Sequence, residues 1–187
     1  MTGAASTCDL LLLSGSLRST STNAAVLRTA AAVAPEGVGV TIYDGLASLP
    51  HFNPDDDVDP LDDAVVRLRS SIEAADALLF STPEYAGALP GSFKNLLDWT
   101  VGGVEINDKP VGWINSSTAP TGAALSHDSL RHVLGYVGAD IVEPACVRIG
   151  VPREAVGADR TIADPAIRSE VAAVLEVLAG HAIAHPR

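Results

Sequence analysis

The stretch "LLLLSGSLRSTSTNAAVLRTAAAVAP", residues 10–35, contains a strand pattern and a helix pattern joined by a polar turn. Its four leucines form an apolar run of strand length, and Val26, Ala30 and Val33 then recur at helical spacing. Between the two patterns, residues 14–23 hold six hydroxyl side chains together with one Gly, one Arg and one Asn. Capping a helix needs only one such side chain, so this turn is more polar than its position requires.

The alternation of strands and helices continues along the whole chain. Apolar segments of strand length are "CDLLLLS" (8–14), "VGVTIY" (38–43), "DALLFST" (76–82), "PVGWINSS" (110–117) and "ACVRIG" (145–150). Helical patterns lie at 22–34, after Asp59-Pro60, at 91–101 with Val101 on the apolar side, around Leu130, and after Asp164-Pro165. Five strands separated by helices predict a parallel, doubly wound α/β sandwich, because parallel neighbours cannot be joined by tight hairpins.

Length and composition limit the class of protein. A chain of 187 residues fits a single domain, residues 1–187, and 47% hydrophobic against 19% charged residues predicts a packed globule. A formal net charge of −11 argues against nucleic acid and anionic membranes as partners, and no apolar run has the length of a membrane span. The first residues, "MTGAASTCDLLLL", lack the basic region of a secretory signal, so we expect a cytoplasmic protein.

The polar turn is suited to a phosphate group. In doubly wound sheets, ligands bind beyond the carboxyl ends of the strands, which directs the search to the loops after strands one, three and four. The turn contains neither GxGxxG nor GxxxxGK[ST], but it places hydroxyls and Arg18 at a helix N-terminus, where free N–H groups attract anions. Arg18 supplies the local positive charge that an acidic protein needs to bind a phosphate monoester. The alternative is a helix cap without a ligand.

The loop after the third strand, "TPEYAGALPGSFKNLLDW" (82–99), is suited to a flat ligand. Its two prolines stiffen the chain, and its two glycines let the backbone approach a ligand closely. Tyr85 offers an aromatic face. We expect Ser92 to cap the following helix and Trp99 to belong to the core.

The segments "GSLRSTSTN" (15–23) and "TPEYAGALPGSFKNLLDW" together are similar to the paired signatures of the NAD(P)H-dependent FMN reductase family. This family belongs to the flavodoxin-like superfamily and includes quinone, azo and chromate reductases. The resemblance implies a flavodoxin-like three-layer sandwich with strand order 2-1-3-4-5. It also implies FMN as cofactor, NADPH or NADH as hydride donor, and a small-molecule electron acceptor.

The resemblance assigns cofactor-binding roles to eleven residues in three groups. The FMN phosphate would be held by Ser16, Arg18, Ser21 and Asn23, together with backbone groups around Thr22. The isoalloxazine ring would be lined by Pro83, Glu84, Tyr85 and Ala86. The turn "NSSTAPTG" (115–122), through Ser116 and Ser117, would border the flavin on its other side. Many members have Asn and an aromatic or small polar residue after the Glu-Tyr pair, so Ala86 and Gly87 imply an altered nicotinamide or acceptor pocket.

The implied reaction needs no side-chain nucleophile, because the flavin N5 carries the hydride. NAD(P)H would reduce bound FMN, and a quinone or azo compound would then take the electrons at the same face. The alternative is a flavodoxin-like electron-transfer module without NAD(P)H turnover. A phosphatase is excluded because neither Cys8 nor Cys146 has an Arg six positions later, and a GxSxG hydrolase elbow is absent.

The cysteines, the acidic segment and the histidines are not expected to take part in a ligand site. We expect Cys8 and Cys146 to be buried hydrophobes, and the acidic segment "NPDDDVDPLDD" (53–63) to be a solvated loop. The five histidines have no metal-binding spacing and are expected at the surface. The resemblance further implies a homodimer or homotetramer with active sites near the interface.

Overall fold

The computed structural model describes residues 8–186, which contain one five-stranded parallel sheet. The strands are β1 (Cys8–Ser14), β2 (Val38–Tyr43), β3 (Ala77–Ser81), β4 (Pro110–Asn115) and β5 (Asp140–Arg148). Their order in the sheet is β2-β1-β3-β4-β5, and every neighbouring pair is parallel. The predicted flavodoxin-like architecture is therefore confirmed.

Five α-helices cover the two faces of the sheet. They are α1 (Thr22–Ala32), α2 (Asp63–Ala74), α3 (Gly91–Asp98), α4 (Ala124–Tyr136) and α5 (Pro165–Ala184). Side chains alternate across a strand, so Leu10 and Leu12 of β1 pack with α1 and α5, whereas Leu11 and Leu13 pack with α2, α3 and α4. Burial on both faces explains the uninterrupted leucine run, which is typical of a central parallel strand.

The predicted start of α2 at Asp59-Pro60 is wrong. The helix begins at Asp63, and its N-cap is Asp62, whose Oδ1 accepts a hydrogen bond from Ala64 N at 2.8 Å. Several acidic residues in this segment can cap a helix, and only the packed structure selects one of them. The inward positions Val65, Leu68 and Ile72 are confirmed as buried.

Both predicted ends of α3 also need correction. The N-cap is Pro90, whose carbonyl accepts from Phe93 N (3.0 Å) and Lys94 N (2.9 Å), so Ser92 lies inside the helix and caps nothing. The helix ends at Asp98 in a tight turn, which leaves Val101 about half exposed and off the apolar stripe. Trp99 is confirmed as a core residue.

Strand β5 begins at Asp140, five residues before its predicted start at 145. Glu143 and Pro144 interrupt the apolar pattern in the sequence, so the pattern does not predict the first half of the strand. The structure tolerates both because β5 is an edge strand that pairs only with β4 in the described sheet, and an edge position does not require every backbone N–H.

The acidic segment 53–63 is less solvated than predicted. Asp57 forms an ion pair with Arg69 at 2.8 Å, and both side chains are largely buried. Arg69 Nε also donates to the carbonyl of Trp99 at 3.0 Å, which ties this segment to the end of α3. The rest of the segment is mostly exposed.

Residues 1–7, which carry most of the segment judged for a secretory signal, lie outside the described residues. Within residues 8–186, no helix combines the length and apolar character needed to cross a membrane.

Candidate functional site

A cavity of about 370 Å³ opens at the carboxyl edge of the sheet, within the range of about 300–1,000 Å³ typical of small-molecule sites. Ten of the eleven residues predicted to bind a cofactor line it. They are Ser16, Arg18, Ser21, Thr22, Asn23, Pro83, Glu84, Tyr85, Ser116 and Ser117. The structure thus brings three separate loops to one place, as the sheet order requires.

Gly15 allows β1 and β3 to leave the sheet in close contact. Its N–H donates to the carbonyl of Ser81 at 2.9 Å. A Cβ at this position would lie 2.1 Å from Thr82 Oγ1, far inside van der Waals contact. The glycine of the polar turn is therefore required by packing against the third strand, and not by the turn itself.

The serines of the first loop shape it through hydrogen bonds between residues two or three positions apart. Ser14 Oγ accepts from Ser16 N, and Ser16 Oγ accepts from Arg18 N, both at 3.3 Å. Ser21 is the N-cap of α1, and its Oγ accepts from Ala24 N at 3.4 Å. In each of these bonds the serine oxygen is the acceptor, so the hydroxyl hydrogens remain able to donate to a ligand.

The first turn of α1 directs free backbone donors to the cavity. The first hydrogen bond of the helix runs from Ala25 N to Ser21 O at 3.0 Å. The N–H groups of Thr22 and Asn23 precede it and have no acceptor within the helix. Together with the positive end of the helix dipole, they form a binding position for an anion.

Asn23 lines the cavity, and the oxygen of its side chain is already engaged by two hydroxyls. Its Oδ1 lies 2.9 Å from Ser81 Oγ and 3.0 Å from Ser116 Oγ. Asn23, Ser81 and Ser116 are all buried. The side chain thus joins α1 to the ends of β3 and β4, while the backbone N–H of Asn23 is left for a ligand.

Glu84 connects the loop after β3 to α4. Its Oε2 accepts a hydrogen bond from Ser126 N at 3.1 Å, in the first turn of that helix. The hydroxyl of Ser126 donates to the carbonyl of Pro83 at 3.1 Å, so both residues of the loop are fixed. A carboxylate at a helix N-terminus is favoured by the helix dipole, and here it holds the loop in shape.

Ala86 is the predicted residue that does not line the cavity. It lies in a tight turn closed by hydrogen bonds between Tyr85 and Ala88, from Tyr85 N to Ala88 O (3.0 Å) and from Ala88 N to Tyr85 O (3.1 Å). Ala86 has φ +51° and Gly87 has φ +72°, the left-handed pair of a type I′ turn. The turn leaves the ring of Tyr85 about half exposed at the mouth of the cavity.

The loop between β4 and α4 is held by side chains beneath it. Asn115 Nδ2 donates to the carbonyl of Gly122. Arg148 of β5 donates from Nε to Ser117 O at 3.1 Å and from Nη2 to Ala119 O at 2.7 Å. This border of the cavity is therefore fixed before any ligand binds.

His127 is buried, which contradicts the prediction that the histidines lie at the surface. Its Nδ1 lies 2.9 Å from the carbonyl oxygen of Ala123, so Nδ1 carries the hydrogen and donates it. Its Nε2 has no hydrogen-bond partner among residues 8–186. Burial lowers the pKa of His127 below its ordinary value, because the charged imidazolium would lose its hydration. The ring is therefore neutral near pH 7.

Eight lining residues were not among those predicted to bind a cofactor. Five of them belong to the three loops already singled out, namely Thr20, Thr82, Thr118, Ala119 and Thr121, and three lie outside those loops, namely Ala123, Val151 and Arg153. Val151 and Arg153 follow β5, whereas the predicted site includes only the loops after the first, third and fourth strands. Since the carboxyl ends of all parallel strands meet at one edge, the loop after β5 also lies at the edge that carries the cavity.

The two cysteines offer no nucleophile. Cys8 is buried, as predicted, and Cys146 is partly buried. Burial raises the pKa of the Cys8 thiol to about 11 and that of Cys146 to about 12, so both remain protonated near pH 7. In the described part of the chain, no group of three His, Cys, Asp or Glu residues could hold a metal ion.

Comparison with known proteins agrees with this geometry. Residues 8–151 match the model of the NADPH-dependent FMN reductase family. The chain is 33% identical over 171 residues to an NAD(P)H-dependent FMN reductase of Pseudomonas aeruginosa, an alignment that covers 90% of this chain and 92% of that protein. It is 32% identical over 137 residues to a quinone reductase of Escherichia coli K12, covering 72% of this chain and 73% of the relative.

A solved structure shares both the fold and the sequence relationship. FerB, a flavoenzyme NAD(P)H:(acceptor) oxidoreductase from Paracoccus denitrificans, superposes with a TM-score of 0.78 at 30% identity, covering 93% of this chain and 98% of FerB. The sheet order, the polar turn at the start of α1 and the sequence match over residues 8–151 lead to one assignment. The chain belongs to the NADPH-dependent FMN reductase family.

Proposed function

We propose that the cavity at the carboxyl edge binds FMN, with the phosphate on the first turn of α1. The observation that carries the proposal is the convergence of unused donors: the N–H groups of Thr22 and Asn23, the hydroxyls of Ser16 and Ser21, and Arg18. Such a set suits a tetrahedral dianion, which needs several donors at once. The same cavity is also lined by an aromatic residue, Tyr85.

The other lining residues fit a flat ring system. Pro83 and Glu84 are fixed against α4, and Ser117 is held by Arg148. Two preformed walls limit the rotation of a ligand, which raises affinity by reducing the entropy lost on binding. In the proposed complex the ring occupies the space between residues 83–85 and residues 116–117. Ala86 would influence this site only through the conformation of the turn that presents Tyr85.

The chain is an NAD(P)H-dependent flavin oxidoreductase of this family, and the protein contributes binding and orientation. Bound FMN would supply a hydride acceptor and donor at its N5 position. Because the flavin would carry the redox chemistry, the lining side chains are needed only to bind and orient the reactants. The exposed side of Tyr85 leaves room for the nicotinamide and then for the acceptor, which argues for alternating use of one face.

We propose a quinone as the class of electron acceptor. Support comes from the quinone reductase of Escherichia coli, since relatives with similar sites share acceptor chemistry more often than unrelated proteins do. A two-electron transfer at an open flavin face suits a small planar acceptor. Steady-state rates with a benzoquinone, an azo dye and chromate would rank the acceptors.

Anaerobic mixing of the FMN-loaded protein with NADPH, and separately with NADH, tests the proposal. We expect the yellow absorbance of oxidised flavin to bleach within the turnover time, and a quinone to restore it. A stable yellow complex with neither nucleotide able to bleach it would instead indicate an electron-transfer module. Failure of the protein to bind FMN at all would refute the site itself.

We further propose a cytoplasmic homodimer or homotetramer built from a single-domain chain. Leu17 and Leu125 are more than half exposed near the cavity mouth, and a second copy could cover them. The free thiols Cys8 and Cys146 suit a reducing compartment. Light scattering on the purified protein would give the assembly, and cell fractionation would give the location.

A further inference from the structure

The loop after β5 brings a second arginine to the cavity. Arg153 lies in a short 3-10 turn (Arg153–Ala155) and lines the same cavity as Arg18. Glu84 is the carboxylate of that lining, and its side chain is occupied at the N-terminus of α4. We propose that Arg153 is a second cationic ligand for the FMN phosphate, an inference that rests on the proposed function and adds a residue to it.

Backbone contacts place Arg153 near the α1 end of the cavity. The pairing of β4 with β5 continues beyond both strands, because Ile149 N donates to Asn115 O and Val151 N donates to Ser116 O, each at 3.0 Å. The hydroxyl of Ser116 in turn reaches the side chain of Asn23, in the first turn of α1, at 3.0 Å. Arg153 therefore follows a segment attached to the predicted phosphate end.

The segment that carries Arg153 is also anchored to the body of α1. Ile162 N donates to Thr29 Oγ1 at 2.9 Å in a buried contact. Val156 and Ile162 form an antiparallel bridge, which closes the segment into a compact loop. The loop is therefore held by Ser116 at one end and by Thr29 of α1 at the other, which restrains the backbone that carries the exposed Arg153 side chain.

The charge of the phosphate favours a second cation beside Arg18. A phosphate monoester carries about −1.5 to −2 charges at pH 7. Arg18 carries one positive charge and the N-terminus of α1 is equivalent to about +0.5, so up to about half a negative charge of the phosphate is left uncompensated in a protein of net charge −11. The guanidinium of Arg153 forms no ion pair with any carboxylate in residues 8–186, so it is available for the ligand.

The test compares FMN with riboflavin, which lacks the phosphate. Affinities of both ligands for the apoprotein would be measured by flavin fluorescence quenching in wild type, Arg153→Gln, Arg153→Lys and Arg160→Gln. Arg160→Gln is the matched control, because Arg160 is exposed on the same loop and does not line the cavity. Thermal unfolding of each apoprotein checks that the fold is retained.

We expect Arg153→Gln to weaken FMN binding about 10- to 100-fold, the loss that corresponds to one hydrogen bond to a charged group, and to leave riboflavin binding unchanged. Arg153→Lys should recover part of the loss, and Arg160→Gln should match wild type. Equal FMN affinity in Arg153→Gln and wild type would overturn the inference, even if the preference for NADPH changed. An equal loss for FMN and riboflavin would overturn it in favour of a structural role. If wild type itself bound no FMN, the proposed function would fail as well, so the two failures are distinguishable.

Discussion

The side-chain oxygen of Asn23, in the first turn of α1, lies 2.9 Å from the hydroxyl of Ser81 at the end of β3. The same hydroxyl lies 2.9 Å from the carbonyl oxygen of Ile114. A hydroxyl has one hydrogen and cannot donate to two acceptors. All of these groups form hydrogen bonds if the Asn23 amide is turned by 180°, so that Nδ2 takes the place of the oxygen and donates to the hydroxyls of Ser81 and Ser116. The hydroxyl of Ser81 can then donate to the carbonyl of Ile114.

Removing this amide should destabilise the junction of the three loops. We predict that Asn23→Ala lowers the free energy of unfolding by about 1–3 kcal/mol, because buried hydroxyls lose their partner. Urea denaturation of the apoprotein measures the change. A double-mutant cycle with Ser116→Ala should show coupling, and strictly additive effects would contradict the shared hydrogen bond. In wild type, the Nδ2 protons of Asn23 should exchange slowly with solvent.

Arg18 should contribute to FMN affinity through charge. We predict that Arg18→Ala weakens FMN binding by about 1–3 kcal/mol, because a hydrogen bond to a charged phosphate is lost. Isothermal titration of the apoprotein gives the affinity, and Arg67→Ala, an exposed arginine on α2, is the control. The loss should shrink at high salt, since screening weakens charge pairs at an exposed site. Unchanged affinity would remove Arg18 from the site.

Ala86 should carry backbone strain that another residue relieves. Its φ of +51° is unfavourable for alanine and is tolerated by asparagine. We predict that Ala86→Asn raises the free energy of unfolding by about 1 kcal/mol. For a domain of this size, the melting temperature should rise by about 2–4 °C. Ala88→Asn, in the same turn, is the control, and a lower melting temperature in Ala86→Asn would argue against strain at Ala86.

His127 should make stability fall in mild acid. Its pKa lies below the ordinary 6.5 in the folded state, so the unfolded chain binds a proton at a pH where the folded chain does not. The contribution of the neutral His127 to the free energy of unfolding is therefore complete above about pH 6.5. It declines as the pH falls, by at most about 1.4 kcal/mol per pH unit. Denaturation between pH 5 and 8 would show a shallower pH dependence in His127→Gln. His132→Gln, exposed on the same helix, should behave like wild type.

The sequence predicted the bounds of those strands and helices that are marked by an apolar run or by a capping residue next to it. The bounds of β1 and β2, and the start of α5 at Pro165 after the Asp164 cap, follow directly from apolar runs and capping residues. Prediction failed where a neighbour overrides the local preference, as in β5, where an edge position accepts Pro144. It failed also at α2, where several acidic residues compete as caps.

The sequence by itself determined the alternation of strands and helices and the two loops that carry the family's signatures, since each of these depends on residues close together in the chain. The strand order was implied by the resemblance to the family that those two loops carry. Only the tertiary structure decided how those loops are joined. Asn23 and Ser116 are 93 positions apart, the buried ring of His127 lies beside Trp113 of β4, and Arg153 reaches the cavity from the loop after β5. Hydrogen bonding and burial at such positions depend on distances in the folded sheet, which no spacing along the chain encodes.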